Sequence, residues 1–159
     1  MSLPNITTIK TNGISGMLSG CTNVEIDFSG RTTVTNPAFA QIFRNHIEIT
    51  RVNLHDLMTI SGSGSFLYAF AGCTNLTSID LSNLTESGGN MGLMLSGCTS
   101  LTSLDLSKME SAYDIHSMCD GCTSLKTVYL TKLSTTPSES SYTAKAFQNC
   151  SALELVDFS

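Results

Sequence analysis

The chain has 159 residues, of which 13% are charged and 41% are hydrophobic, and its formal net charge is −5 at pH 7. This length is enough for one domain with a real core. No apolar run reaches the roughly 18 residues of a membrane-spanning helix, and the acidic balance argues against a nucleic-acid-binding surface. Residues 1–10 also lack the basic and apolar regions of a signal peptide.

The first part of the chain contains one evident and one hidden copy of a repeat. A Gly-Cys-Thr block places Cys21 at the start of an irregular unit. The next unit lacks the cysteine, yet residues 42–54, "IFRNHIEITRVNL", align with residues 69–81, "AFAGCTNLTSIDL". His46 takes the position of Cys73 in this alignment. A repeat that tolerates histidine at this position does not require a sulfur atom there.

The later units are regular. Their recurring cysteines are separated by 25 residues (98−73), 24 residues (122−98) and 28 residues (150−122). Each cysteine precedes a short apolar block; the blocks are Leu76/Ile79/Leu81, Leu101/Leu104/Leu106, Leu125/Val128/Leu130 and Leu153/Val156/Phe158. Alternation of apolar and polar residues at the end of each block predicts a half-buried strand. The apolar stretches before the cysteines, such as "FLYAF" and "MGLML", predict one or two helical turns.

A unit of about 25 residues does not bury its apolar side alone, but stacked units share one continuous core. We therefore expect an α/β solenoid with parallel strands on one face and short helical or irregular segments on the other. It should form a single domain over residues 1–159, with about six coils. The chain closes on a strand block, "LELVDFS", without a polar cap. We expect a fragment of a longer parent, with open ends that would allow self-association.

The block "GCTSLTSLDLS", residues 97–107, resembles the BspA-type leucine-rich repeats of bacterial surface proteins, in the variant with a repeat of about 25 residues. The resemblance covers nearly the whole chain. It implies a leucine-rich-repeat solenoid and a non-enzymatic scaffold for protein–protein or cell-surface recognition and adhesion. It also implies a protein or host-surface ligand and a parent protein at the cell surface or secreted.

The cysteines are expected to be structural. One ladder of core positions should run through all units: Cys21, His46, Cys73, Cys98, Cys122 and Cys150. Cys119 and Cys122 form a Cys-x-x-Cys pair, which elsewhere indicates a redox dithiol or half a zinc site. Leu95 fills the Cys119 position in the preceding unit, so core packing is favoured over both alternatives. Stacking would bring Cys98 near Cys122, but parallel side-chain directions favour free thiols over a disulfide.

Outward strand positions form polar rows, which we predict to be an interaction face. Its members are Asn53, Thr77, Ser78, Asp80, Thr102, Ser103, Asp105, Lys126, Thr127, Tyr129 and Asp157. Asp80 and Asp105 should be neighbours on adjacent strands, where like charges destabilise pairing. A bound cation or a basic partner would relieve this repulsion; without either, we expect solvated carboxylates with raised pKa values.

The sequence shows no motif for catalysis. Nucleophile-elbow, zinc-protease and phosphate-loop patterns are absent, and His55 and His116 stand in no recognisable catalytic arrangement. We therefore predict no enzymatic activity, no catalytic residues, no metal and no cofactor. Two alternatives stay open: a structural or assembly element of a surface or phage-tail protein without its own ligand, and a metal-binding domain that uses the acidic row.

Overall fold

The computed structural model describes residues 22–27, 29–30, 33–35, 39–61, 66–132, 134–135 and 144–159. Its strands, in chain order, are β1 (Val24–Asp27), β2 (Thr33–Thr35), β3 (Ile49–Asn53), β4 (Thr59–Ser61), β5 (Ser78–Asp80), β6 (Glu86–Asn90), β7 (Ser103–Asp105), β8 (Ser111–Asp114), β9 (Thr127–Tyr129), β10 (Ser134–Thr135) and β11 (Leu155–Asp157). The predicted ladder position Cys21 lies outside the described residues. The predicted parallel-strand solenoid is confirmed.

The odd-numbered strands form one side of the solenoid, which we call the front face. They make two three-stranded sheets, β1-β3-β5 and β7-β9-β11. The parallel pairing follows the predicted register, with Leu104 opposite Val128 and Asp105 opposite Tyr129. In the front strands from β1 to β9 the apolar side chain that precedes the strand-end residue points into the core and its polar neighbours point outward, because successive side chains alternate between the two faces of a sheet. In β11 one outward neighbour, Leu155, is apolar.

The hidden repeat unit is confirmed. Val52 pairs with Ile79 in the strand register, and the ring of Phe43 stacks on that of Phe70 with 5.5 Å between centroids. Both rings are fully buried. A second stack, Phe39 on Phe66, has 5.0 Å between centroids. Aromatic stacks of this kind add to the energy of area burial, so neighbouring units are joined by packing as well as by strand pairing.

A second parallel sheet, with strand order β10-β8-β6-β4-β2, follows the front strands. The sequence analysis did not predict it, because its strands are short and rich in serine and glycine, as in "ESGGN" of β6. Such residues have low strand propensity and usually indicate turns. Here the backbone of the neighbouring unit supplies the pairing, as Glu86 pairs with Ser111.

The third side of each unit is a series of turns, which we call the turn segment. Among the described residues, none of these segments is helical. The sequence predicted short helical or irregular segments on this side, and the structure shows irregular ones. Backbone N–H groups alternate between two acceptors. Ala71 donates within its own unit to the Tyr68 carbonyl at 3.2 Å, whereas Gly72 donates to Ser96 of the next unit at 2.8 Å. A helix would use both N–H groups internally, and sharing them joins the units.

The glycine of the Gly-Cys-Thr motif is required by this geometry. Gly72, Gly97 and Gly121 all have φ between +73° and +75°, a left-handed conformation that is unfavourable for residues with a Cβ. The same position is taken by Asn45, with φ of 62°, and by Asn149, with φ of 59°. Asparagine is the usual substitute for glycine in this conformation, so the hidden unit keeps the same turn.

Candidate functional site: the front groove

The predicted interaction face is accessible in the structure. Its exposed members are Thr77, Ser78, Thr102, Ser103, Asp105 and Lys126, and its half-buried members are Asn53, Asp80, Thr127, Tyr129 and Asp157. Between them lie the buried side chains that hold the strands to the core, such as Ile79 and Leu104. Binding of a partner by these residues stays a prediction. It depends on their common position on one face.

The strand-end carboxylates have a structural task that the sequence analysis missed. Asp80 accepts a hydrogen bond from the Ser82 N–H at 3.1 Å, and Asp105 accepts one from the Ser107 N–H at 2.9 Å. This side-chain-to-backbone bond two residues on is an Asx turn, which ends the strand and turns the chain. The signal was present as the Asp-Leu-Ser sequence that recurs at these sites. Recurrence of aspartate therefore reflects turn formation first.

A groove of about 820 Å³ lies over the first half of the front face; we call it the front groove. Its floor includes the apolar edges of Ile26, Val52 and Ile79. Its charged lining residues are Glu25, Asp27, Arg51, His55, Asp56, Asp80 and Asp105. Carboxylates outnumber basic groups in this lining, so the groove is acidic. An apolar floor with a charged rim is the usual composition of a surface that binds another protein.

A hydrogen-bonded network fixes one wall of the groove. His55 Nδ1 lies 3.2 Å from Asp80 Oδ2 and 3.4 Å from the Ser82 hydroxyl. The Ser82 hydroxyl donates to Asp80 Oδ1 at 2.7 Å. A catalytic triad requires the serine and the carboxylate on opposite nitrogens of the imidazole ring. Here both lie at Nδ1 and the serine proton goes to the carboxylate, so this arrangement does not activate Ser82 as a nucleophile.

The expectation of a raised pKa is wrong for Asp80. Partial burial opposes its ionisation, but hydrogen bonds from the hydroxyl and N–H of Ser82 and the charge of His55 outweigh that effect and lower the pKa of Asp80. Asp80 is therefore ionised at neutral pH. Asp80 therefore contributes a negative charge to the groove at physiological pH.

The described ladder residues lie in one column, and each ladder cysteine among them uses its sulfur in the same way. Cys98 Sγ donates to the Phe70 carbonyl at 3.2 Å, and Cys122 Sγ donates to the Leu95 carbonyl at 3.1 Å. The Phe70 carbonyl also accepts the Cys73 N–H at 3.1 Å. The thiol thus satisfies the second lone pair of a buried carbonyl in the preceding unit, which gives the recurring cysteine a physical reason beyond its size.

The same bond recurs toward both ends of the column, where burial decreases at Cys150 and histidine replaces cysteine at position 46. Cys73 donates to the Phe43 carbonyl at 3.0 Å, and Cys150, which is only half-buried, donates to the Cys119 carbonyl at 3.1 Å. His46 lies in the column as predicted by the alignment, with its Nδ1 3.6 Å from Glu48 Oε2. The side chain of His46 is largely buried, which fits a packing position.

The Cys-x-x-Cys pair has the properties of a core contact. Cys119 and Cys122 are both fully buried, and the five described cysteines are free thiols. The hydrogen bond with Cys122, together with burial, raises the pKa of Cys119 well above its ordinary value, and the same hydrogen bond lowers the pKa of Cys122. Burial likewise raises the pKa of Cys73 to about 12. Cys119 and Cys73, whose pKa values are raised, are protonated at neutral pH and react slowly, since the thiolate is the nucleophile. Cys122 is shielded from reagents in solution by its complete burial.

A buried polar cluster lies at the end of the second sheet, and the sequence analysis did not identify it. Asp114 is only 4% exposed. It accepts hydrogen bonds from Asn90 Nδ2 at 2.8 Å and from the His116 N–H at 2.9 Å, and His116 Nδ1 lies 2.7 Å away. The signal in the sequence was again a polar residue two positions before a turn. The cluster belongs to the scaffold, since its carboxylate faces the interior.

Within the described ranges, no three histidine, cysteine or acidic side chains are arranged to hold a metal ion. In the same part of the chain, no helix has the length and apolar character needed to cross a membrane.

Comparison with known proteins agrees with the architecture. A family model described as BspA type leucine-rich repeat region matches residues 40–159 in six copies. Among solved structures, the chain is similar to the crystal structure of a leucine-rich repeat protein from T. pallidum, with a TM-score of 0.59 and 21% sequence identity. The match covers 82% of this chain and 56% of that one, and at this identity it shows a shared fold. No curated protein sequence matches the chain.

Proposed function

Since the chain belongs to the BspA-type leucine-rich repeat family, we propose that it is a non-enzymatic scaffold that recognises a protein partner through its front face. The front groove supports this proposal most directly. It combines accessible polar side chains, an apolar floor and an excess of carboxylates on rigidly paired strands. Solenoids present extended surfaces of this kind, and rigid strands hold side chains in place without the entropy cost of ordering a loop.

We further propose that the parent protein is displayed at the surface of a bacterial cell or secreted, where the ligand would be a protein or a host-surface molecule. The family is typically associated with bacterial surface proteins, and that association supports the proposal. Brief protease treatment of intact cells that make the parent protein tests it. The proposal predicts loss of the full-length band from unbroken cells, while a cytoplasmic marker stays intact; protection equal to that of the marker contradicts it.

A matched pair of double variants tests the role of the front face. Ser78→Arg with Ser103→Arg places two large side chains on the front face, and Thr74→Arg with Thr99→Arg makes the same charge change in the turn segments, where both threonines are exposed. A partner captured by the unmodified chain should bind the first variant about tenfold or more weakly and the second nearly as well. Equal binding by both variants, or a loss confined to the second, would contradict recognition through the front face.

Assembly is a second candidate function, and one observation favours it. β11 pairs with β9 on one side. Leu155 in this strand is 45% exposed, and Phe158, directly after it, is 68% exposed. An exposed strand edge with apolar side chains can pair with another chain. Sedimentation at increasing protein concentration distinguishes the two candidates. Oligomers that increase with protein concentration, and that are absent in Phe158→Asp, support assembly. A monomer at every concentration supports the recognition function alone.

A further inference from the structure

The front face is divided between β5 and β7. At other junctions, the residue that follows a front strand donates its N–H to the next strand-end carbonyl, as Leu54 does to Asp80 at 3.1 Å and Leu106 to Tyr129 at 2.9 Å. Among the residues that the structure describes, Leu81 makes no such bond, and the two strands belong to separate sheets. We call this interruption the seam.

The seam coincides with a particular pair of charges. In the row of strand-end residues, Asp27 lies opposite Asn53 and Asn53 lies opposite Asp80. On the other side of the seam, Asp105 lies opposite Tyr129. At each of these three junctions a carboxylate lies opposite a neutral side chain, and the two strands that meet there are hydrogen-bonded to each other. At the junction of β5 with β7, which is not hydrogen-bonded, the two strand-end residues, Asp80 and Asp105, are both carboxylates that line the front groove, and like charges on neighbouring strands weaken strand pairing.

The seam is open to solvent and continuous with the front groove. Asp80 and Asp105 both line that groove. The residues two positions before them, Ser78 and Ser103, are exposed and small, so no bulky side chain covers the space above the strands. Hydrogen bonds from Ser82 and the charge of His55 keep the pKa of Asp80 low. A ligand that lies in the groove therefore meets two carboxylates from separate sheets.

We propose that the seam is the docking point for a cationic side chain, arginine or lysine, of a partner polypeptide that lies in the front groove. The proposal rests on the proposed recognition function and names the chemistry of its partner. Each carboxylate gives one oxygen to its Asx turn. Asp80 Oδ2 also lies 3.2 Å from His55 Nδ1, and each carboxylate oxygen has a second lone pair with which it can accept a further donor. A guanidinium carries five donors in a fixed fork, which suits two carboxylates on adjacent strands. A single cation between them also removes the repulsion that separates β5 from β7.

Two variants separate the seam from general attraction of a basic ligand to an acidic protein. Asp105→Asn removes one of the two facing carboxylates. Asp157→Asn removes a carboxylate from the same row at a junction that is hydrogen-bonded, opposite Tyr129. Both aspartates accept the N–H two residues on at 2.9 Å, and Asn53 shows that asparagine makes the same turn. The two variants thus match in charge change and in local structure.

The probe is a five-residue peptide, acetyl-Ser-Gly-Arg-Gly-Ser-amide, and its control carries citrulline, which has the shape of arginine without the charge. Backbone amide resonances of the protein are followed during titration at low ionic strength. We expect the arginine peptide to shift the amides of residues 78–81 and 103–105. Citrulline or Asp105→Asn should weaken binding about tenfold or more, while Asp157→Asn should change it less than about twofold.

Several results would overturn the proposal. One is an equal loss in the two variants, which indicates general electrostatic attraction. Another is equal binding of the citrulline peptide. A third is a titration with Ca²⁺ alone that shifts the same amides at lower concentration than the peptide does, since the seam would then be a metal site. If a partner is captured through the front face and binds Asp105→Asn unchanged, the seam proposal fails and the recognition function stands.

Whether charge repulsion opens the seam can be measured in the free protein by hydrogen exchange. Relief of the repulsion in Asp105→Asn should let Leu81 donate to the next strand, so hydrogen exchange of the Leu81 amide should slow about tenfold or more. The same amide should be unaffected in Asp157→Asn. An unchanged Leu81 amide in Asp105→Asn would show that charge does not open the seam, and the proposal would lose its basis.

Discussion

Replacement of Gly92 by alanine tests the buried cluster around Asp114, and the sign of the result is decisive. The φ of Gly92 is not in the left-handed region. A glycine-to-alanine change at such a position normally stabilises a protein by about 0.4–1 kcal/mol, because it restricts the unfolded chain. Here the new Cβ would lie 2.5 Å from His116 Nδ1 and 2.8 Å from Asn90 Oδ1. Both side chains must move, and both hold the buried carboxylate of Asp114.

The magnitude follows from those contacts. A hydrogen bond to a charged group contributes about 1.5–3 kcal/mol, and a buried carboxylate that loses one keeps the desolvation cost. After the gain from the unfolded chain is subtracted, we expect Gly92→Ala to lower the free energy of unfolding by about 1–2.5 kcal/mol. Urea unfolding followed by far-ultraviolet circular dichroism measures this value, provided that the slope against urea concentration is unchanged.

A double-mutant cycle with His116→Ala supplies the control. Without the imidazole ring, the space beside Gly92 is free on that side, so the alanine should cost less in the His116→Ala background. The two changes should therefore couple by about 1 kcal/mol or more. A neutral or stabilising effect of Gly92→Ala alone, or strictly additive effects of the two changes, would refute this description of the cluster.

Three further predictions concern the core. Cys119→Leu should fold with a free energy of unfolding within about 1.5 kcal/mol of the original, since Leu95 fills the same position one unit earlier, and a larger loss in urea unfolding would contradict the alignment. Leu104→Asp places an unpaired charge in the core and should cost about 4 kcal/mol or more, so a native circular dichroism spectrum and an unchanged melting temperature would show that the register is wrong. Burial raises the pKa of Cys73 to about 12 from 9.0. The contribution of Cys73 to the free energy of unfolding should be constant below pH 9 and fall between pH 9 and pH 12 by roughly 1.4 kcal/mol per pH unit. Urea unfolding of the reduced protein at pH 8 and pH 10 measures the total decline, which should be smaller in Cys73→Ala; an equal decline in the two proteins would contradict the assignment to Cys73.

The front strands could be predicted from the sequence because the pattern that defines each strand lies within a few consecutive residues. Apolar and polar residues alternate at Leu104 and its neighbours, and the recurring block fixes how successive units align. Even the unit with His46 in place of cysteine was identified from this pattern, since Val52 and Ile79 retain the same spacing. The strand register followed from the same alignment, because stacked repeats place equivalent residues beside each other.

The second sheet and the turn segments could not be predicted in the same way. Strands such as β6 lack apolar alternation, and their structure depends on hydrogen bonds to the neighbouring unit. The stretches before each cysteine have the apolar spacing of short helices, yet every second N–H donates to the next unit. Gly72 with its positive φ was the local sign against a helix. Pairing between units overrides the propensity of one unit here.

The site was predicted in part. The polar rows on the front strands identify a common face, and the structure adds what depends on three dimensions: the groove, the Asx turns and the seam. The pKa of Asp80 was predicted in the wrong direction, because its hydrogen bonds to Ser82 and the position of His55 depend on how the chain turns after β5. Charge neighbours alone do not determine a pKa when closer polar groups contribute.

Recognition through the front face is the central claim, and hydrogen exchange of the chain in complex with a captured partner tests it most directly. The account predicts slower exchange on binding in β3, β5 and β7, with the amides around Asp80 and Asp105 most affected. The turn segments, including residues 66–75 and 91–100, should exchange at the same rate with and without the partner. Slower exchange confined to the turn segments or to the second sheet, with the front strands unchanged, would contradict the account.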